Sequence, residues 1–233
     1  VSLILAHNEI GSLYNLKAMA ELKAKHEFIL HWDATQALLT EPIHEAIDSF
    51  DMLSLSAHKL YGPKGVGALF LKKTTVGHQL EPLISGGDQE FGLRSGTLNV
   101  PGIVGLGEAC KIVLNRRDQD LSHFKTLSQS FKNLLLKNLV IATFNGDPEQ
   151  RIFQNISLTL PGSYTNMDLM SHFNGFCLSQ GSACGSMKTK SNPVLSAIGL
   201  TESQMTRTLR VGLGRNTTEQ DLEKFVDRLA NQV

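Results

Sequence analysis

The apolar positions of this chain fall into short runs separated by polar turns, and the runs alternate with stretches of helical spacing. The chain opens on an apolar run at 1–6 that reads as a buried strand. A helix is expected from about Leu13 to Lys25, with Leu13, Leu16, Met19, Ala20 and the stem of Lys23 on one side. A second strand follows at 28–31, then a short helix at 41–50. Two further runs, 52–55 and 66–71, are bounded by Gly and Pro turns and have the length of buried strands. Strand, helix, strand in this order is a βαβ unit, and in open parallel sheets ligands bind at the carboxyl ends of the strands.

Pro101 begins a long helical region whose apolar stripe is read as Ile103, Val104, Leu106, Ala109 and Ile112. A charged break at 116–120 is expected to interrupt it, with more helix to about Lys137. The domain boundary is placed there, giving a domain at 1–117 and a second at 118–233. The second part mixes strands at 138–144, 153–160 and 208–213 with helices at 167–173 and 193–199, an α+β pattern. A capping box at Thr217 and Gln220 opens a last helix with Leu222, Phe225, Val226 and Leu229 on its apolar face.

Composition narrows the class. The 233 residues carry 22 basic and 22 acidic side chains, so no net field points to nucleic acid or to a membrane surface. No apolar run approaches the roughly 20 residues of a membrane span. Cys110, Cys177 and Cys184 are an odd set without metal-ligand spacing, which suits a reducing compartment such as the cytoplasm or mitochondrial matrix. No metal is expected. The chain begins without methionine, directly in a strand, so preceding sequence is expected.

Candidate chemistry gathers at the strand ends. Asn8 follows the first strand, Asp33 and Gln36 the second, and Ser56, His58 and Lys59 the third. Asp33 also suits a cap for the next helix. Lys59 precedes a turn containing Gly62, Pro63, Gly65 and Gly67. An amine there is open to partial desolvation, which lowers its pKa and makes it a nucleophile for carbonyl groups; a lysine pointing to water is the plainer alternative. The Gly-rich run from Ser85 to Thr97 carries Arg94 and reads either as an anion-binding loop or as a surface loop. Cys110 and Cys177 sit in apolar surroundings and read as inert. Cys184, among Gly181, Ser182, Gly185 and Ser186, reads as an accessible thiol or as an incidental loop residue.

Taken together, six runs resemble the cysteine desulfurases of the class V aminotransferase fold. They are His7-Asn-Glu-Ile-Gly11, His31-Trp-Asp-Ala-Thr-Gln36, Ser56-Ala-His-Lys59 with Tyr61-Gly-Pro-Lys-Gly65, Arg94-Ser-Gly-Thr97, Gly181-Ser-Ala-Cys184 and Leu209-Arg-Val-Gly-Leu-Gly-Arg215. They arrive in the family's order across essentially the whole chain, and the Gly-Ser-Ala-Cys form resembles the subgroup serving iron–sulfur cluster assembly and tRNA thiolation. The resemblance implies an α/β fold: part of a pyridoxal-phosphate-transferase-like large domain, with a mostly parallel sheet between helices, plus a smaller α+β domain.

It also implies pyridoxal 5'-phosphate as cofactor, bonded by Lys59, with Asp33 at the pyridine nitrogen and Asn8 and Gln36 at the ring oxygen. Ser56 and His58 would bind the phosphate, and Thr97 would do so from the partner subunit of a homodimer. His58 would also belong to the catalytic set. Arg210, with Asn8, would bind the carboxylate of L-cysteine. Cys184 would take the sulfur as a persulfide, leaving L-alanine, and pass it to an acceptor or scaffold protein. The family's upstream half-domain, which stacks a histidine on the cofactor, has no counterpart in these residues. His7 stands where asparagine is usual, and Gly212 where serine is common. Selenocysteine lyases share the same apparatus, and a non-catalytic binding piece is the alternative of a different class.

Overall fold

A computed structural model describes residues 1–73, 80–162, 165, 173, 175–176, 178–179 and 192–232. The chain divides into two compact units, one of 1–6 and 14–117, the other of 7–13 and 118–233.

The first unit is built on a four-stranded sheet in the order β1 (Ser2–Ile4), β2 (His31–Asp33), β3 (Met52–Ser56), β4 (Gly67–Leu71). The first three strands are parallel and β4 is antiparallel to β3. Between β1 and β2 runs α1 (Leu16–Lys25), capped by Asn15, whose side chain accepts the Ala18 N–H. The helix starts three residues later than expected, so Leu13 lies outside it; Leu16, Met19, Ala20 and Lys23 are half-buried and the rest of the helix is exposed, as the spacing predicts.

Strand β2 begins three residues later than expected. The Asp51 carboxylate accepts the Leu30 N–H at 2.8 Å and pairs with Lys23 Nζ at 2.7 Å, so pairing along the sheet starts only at His31. Trp32, fully buried, then fills the core beneath the sheet, with Tyr14 stacked at a tilt 5.8 Å away. Burying such a side chain contributes about 1.5–3 kcal/mol.

Two strands expected to be buried are not. β1 and β4 are the outer strands of the sheet; Ser2, Ile4 and residues 67–70 are exposed, and burial at the start of the chain begins at Leu5. Gly67 is nonetheless required where it stands. A Cβ there would lie 2.5 Å from the Leu55 carbonyl oxygen, so a side chain would push β4 off β3.

The long helix α2 (Val100–Lys137) runs without the expected break, and the division between the two units falls inside it, between Arg117 and Asp118. Residues 116–120 contain no helix breaker, and Asp120 is a buried member of the stripe rather than part of a solvated gap. The buried face also differs from the expected one. It runs through Gly102, Leu106, Ala109, Val113, Asp120, Phe124, Leu127, Phe131 and Leu135, leaving Ile103, Val104 and Ile112 exposed. Small residues decide this: Ala109 packs on Gly62 and Gly105 on Pro63, at distances where any added Cβ would be in tight contact. Cys110 lies beside the stripe, half-exposed, in an apolar cleft lined by Leu38, Ile43, Leu60 and Val113. Burial raises its thiol pKa, which disfavours the thiolate.

The second unit holds a three-stranded antiparallel sheet, β5 (Thr143–Phe144), β6 (Asn155–Thr159) and β7 (Thr208–Gly212), in that order. Two short helices, α3 (Pro193–Ala197) and α4 (Glu202–Met205), precede β7, and α5 (Glu219–Ala230) closes the chain. The cap of α5 is Thr218 with Asp221, one residue beyond the expected box, because the Thr217 hydroxyl already accepts the Gly214 N–H. Leu222, Phe225, Val226 and Leu229 are buried as predicted. Phe225 gathers Phe131, Phe173 and Phe176 around it, with ring centroids 4.9–5.8 Å away. The helix expected at 167–173 lies, except for Phe173, outside the described residues, as do Cys177 and Cys184.

Candidate active site

In the first unit, the parallel register sets Asp33 beside Ser54 and so brings the carboxyl ends of β2 and β3 to one edge. Asp33 is half-buried, and its Oδ1 accepts the Thr35 N–H at 3.0 Å, which turns the chain as an aspartate cap does. Gln36, also half-buried, lies in that turn. At the end of β3, the Ser56 hydroxyl and His58 Nδ1 are 2.7 Å apart.

Beyond Ser56 a single tight helical turn, Ala57–Leu60, carries Lys59. Side chains three apart in such a turn eclipse, so buried Ala57 and Leu60 anchor it while His58 and Lys59 face outward and are exposed. The turn closes with Tyr61 in the left-handed region, φ 64°, and the Gly62 N–H on the Ala57 carbonyl. Of the two readings of Lys59, the exposed side chain fits the one that points to water, and these residues do not desolvate the amine. The amine is open to a ligand instead.

The Gly-rich loop is tied to itself. The Ser95 N–H binds the Ile84 carbonyl and the Gly96 N–H binds Gln89 Oε1, while Arg94 Nη1 donates to the Gly96 carbonyl at 3.2 Å. Two of the N–H groups that an anion would need are thus spent within the loop. Thr97 is exposed at its end, and Leu83 and Phe91 are each 98% exposed.

The second unit joins Asn8 to Arg210. Turn 7–13 is fastened to this unit by Asn155 Nδ2, which donates to the Asn8 carbonyl at 2.8 Å, and by Arg151 Nη2, which donates to the carbonyls of Asn155 and Ile10 at 3.0 and 3.4 Å. Gly11, φ 77°, makes the approach possible, since a Cβ there would sit 2.7 Å from the Asn155 carbonyl oxygen. Arg210, on β7 opposite Ser157, donates from Nη1 to the Asn8 carbonyl and from Nε to Ser179 Oγ, both at 2.9 Å. Burial pulls the Arg210 guanidinium below the ordinary arginine value, and the nearby Glu9 works against that. Among the described residues Nη2 has no hydrogen-bond partner.

Sequence reasoning missed Glu9, Ser179, Asn155 and Asn192 as parts of this cluster. Glu9 lies inside a recognised run, but its partner Asn192 is 183 residues away, and local pattern carries no sign of that pairing.

Comparison with known proteins places the chain in a family. The Aminotransferase class-V family description matches residues 1–225. A protein named cysteine desulfurase IscS, from Rickettsia prowazekii (strain Madrid E), is 36% identical over 234 aligned residues, which cover all of this chain and 56% of that protein. The chain thus spans little more than half the length of such relatives. A solved structure described as a NifS-like protein superimposes with a TM-score of 0.85 at 29% identity, covering all of this chain and 60% of the other. Another, described as SspA in complex with cysteine, gives 0.70 at 30% identity, with 91% of this chain and 58% of the other covered.

Proposed function

The chain belongs to the class V aminotransferase family, and from that premise we propose that it carries the lysine and cysteine of a pyridoxal-phosphate-dependent cysteine desulfurase. The reaction is conversion of L-cysteine to L-alanine with the sulfur retained as a persulfide. The observation that carries this reading is the exposed Lys59 amine one turn beyond β3, with Asp33 at the end of the adjacent parallel strand.

The donor set suits the cofactor: a primary amine, a carboxylate, and a hydroxyl–imidazole pair held 2.7 Å apart. When bound, pyridoxal phosphate supplies an electron sink for the substrate's Cα. Lys59 would hold it and move protons at the substrate carbons. Asp33 would keep a proton at the pyridine nitrogen, while Asn8 and Gln36 would donate to the ring oxygen. Ser56 and His58 would hold the phosphate. Thr97 would reach it from a second copy of the chain in a homodimer, and the exposed Leu83 and Phe91 on the same segment support such a partner. Arg210 would grip the substrate carboxylate through Nη2 and Nη1.

The Cys184 thiolate would then attack the substrate sulfur. The carbon–sulfur bond breaks with its electron pair passing to carbon, and protonation there completes alanine while the sulfur stays on Cys184. A protein acceptor or scaffold serving iron–sulfur assembly or tRNA thiolation would receive it. In this reading 1–117 is the cofactor-binding domain and 118–233 the cysteine-bearing one. No described helix is long and apolar enough to cross a membrane, and a cytoplasmic setting with reduced thiols is the one we propose.

Substituting Cys184→Ala should abolish sulfide release from L-cysteine while the cofactor remains bound. Undiminished release would overturn the assignment.

A further inference from the structure

Beside Arg210 stands a carboxylate to which the proposed reaction gives no task. Glu9 is buried, 7% exposed, and its Oε2 accepts a 2.6 Å hydrogen bond from Asn192 Nδ2. Asn192 is itself fixed, because its Oδ1 caps α3 by accepting the N–H groups of Val194 and Leu195 at 2.9 and 3.0 Å. It cannot swing away from Glu9 without uncapping that helix. Arg210 is pinned on the other side by Ser179 and by the carbonyl of Asn8, the residue next to Glu9. Glu9 acts electrostatically on Arg210, and each side chain is held in place by other groups.

We propose that Glu9 is a specificity-determining residue: as the fixed counter-charge of Arg210, it keeps the anion site close to neutral and restricts it to ligands with a single carboxylate. The proposal rests on the reading of Arg210 as the substrate's carboxylate clamp. A zwitterionic amino acid such as L-cysteine places one carboxylate on Arg210 and brings no second negative charge toward Glu9. A dicarboxylate brings its second charge into the field of a buried, immobile carboxylate, where low effective dielectric makes repulsion strong. Without Glu9 the site would carry a net positive charge and would favour dianions.

The test is calorimetric titration of the full chain with propionate, one carboxylate, and malonate, two. The wild type should bind malonate no more tightly than propionate. Glu9→Gln, which keeps an oxygen for Asn192 and removes the charge, should shift the malonate-to-propionate affinity ratio about tenfold toward malonate. Glu9→Asp should keep the wild-type ratio. A ratio unchanged in Glu9→Gln would overturn the proposal. So would a wild-type preference for malonate, which decides the matter even if the variant does not fold. Arg210→Gln separates the two levels: unchanged propionate binding there removes the clamp itself, and the Glu9 proposal with it. Loss of binding there, with an unchanged ratio in Glu9→Gln, removes the Glu9 proposal alone.

Discussion

Substituting Asp120→Ala should destabilise the second unit far more than its place in a charged sequence run suggests. Asp120 is 1% exposed; its Oδ2 accepts a hydrogen bond from Arg215 Nε at 2.8 Å and lies 2.6 Å from Nη2. The Arg215 side chain is only 14% exposed, so the pair is desolvated on both sides. Removing one member of a buried pair takes from the other the counter-charge that it holds at hydrogen-bond distance, at a cost of about 3–5 kcal/mol. Urea unfolding followed by far-UV circular dichroism should place the variant's transition lower by that amount. Gln119→Ala, an exposed neighbour on the same helix, should stay within about 0.5 kcal/mol of wild type. The double variant Asp120→Leu with Arg215→Met should recover much of the loss, since neither member is then left buried without the other. A loss below about 1 kcal/mol in Asp120→Ala would refute the claim that α2 is held through this pair.

Other outcomes follow from the same geometry. Gly11→Ala should lose about 1–2 kcal/mol from its positive φ alone, and more because the Cβ would meet the Asn155 carbonyl at 2.7 Å; Gly199→Ala, with φ 88° and open space, should show only the first part. Denaturant midpoints of the two variants measure the difference. The Gln150 and Glu149 N–H groups hold the Asp147 carboxyl below the usual carboxylate range, as the Thr218 hydroxyl and N–H hold Asp221. Both folded pKa values are depressed, so their stabilisation is present above the unfolded value of about 4 and is lost as pH falls through the folded one. An acid titration of stability should therefore fall below about pH 4, with a shallower fall in Asp147→Asn.

The last helix was legible because its four apolar residues recur at helical spacing and nothing competes for that face. The strand ends were legible for a similar reason, since polar residues after apolar runs mark the edge of a parallel sheet. Helix α2 was not. Its stripe is set by the close approaches of Ala109 to Gly62 and of Gly105 to Pro63, which apolar spacing does not encode, and a charged run looks like a break when one carboxylate in it is buried against an arginine 95 residues away. Lys59 was singled out by its place in the sequence, but its exposure depends on which residues of one tight turn anchor inward. Glu9, Asn192 and Arg210 come from three distant segments, and only the folded chain relates them.

The central claim is that Lys59 is the residue that bonds the cofactor. The purified chain should be mixed with pyridoxal phosphate, reduced with borohydride, and its intact mass compared with that of Lys59→Ala treated alike. One cofactor-sized adduct in the wild type and none in the variant is the result predicted. No adduct in the wild type, or an equal adduct in Lys59→Ala, would contradict it.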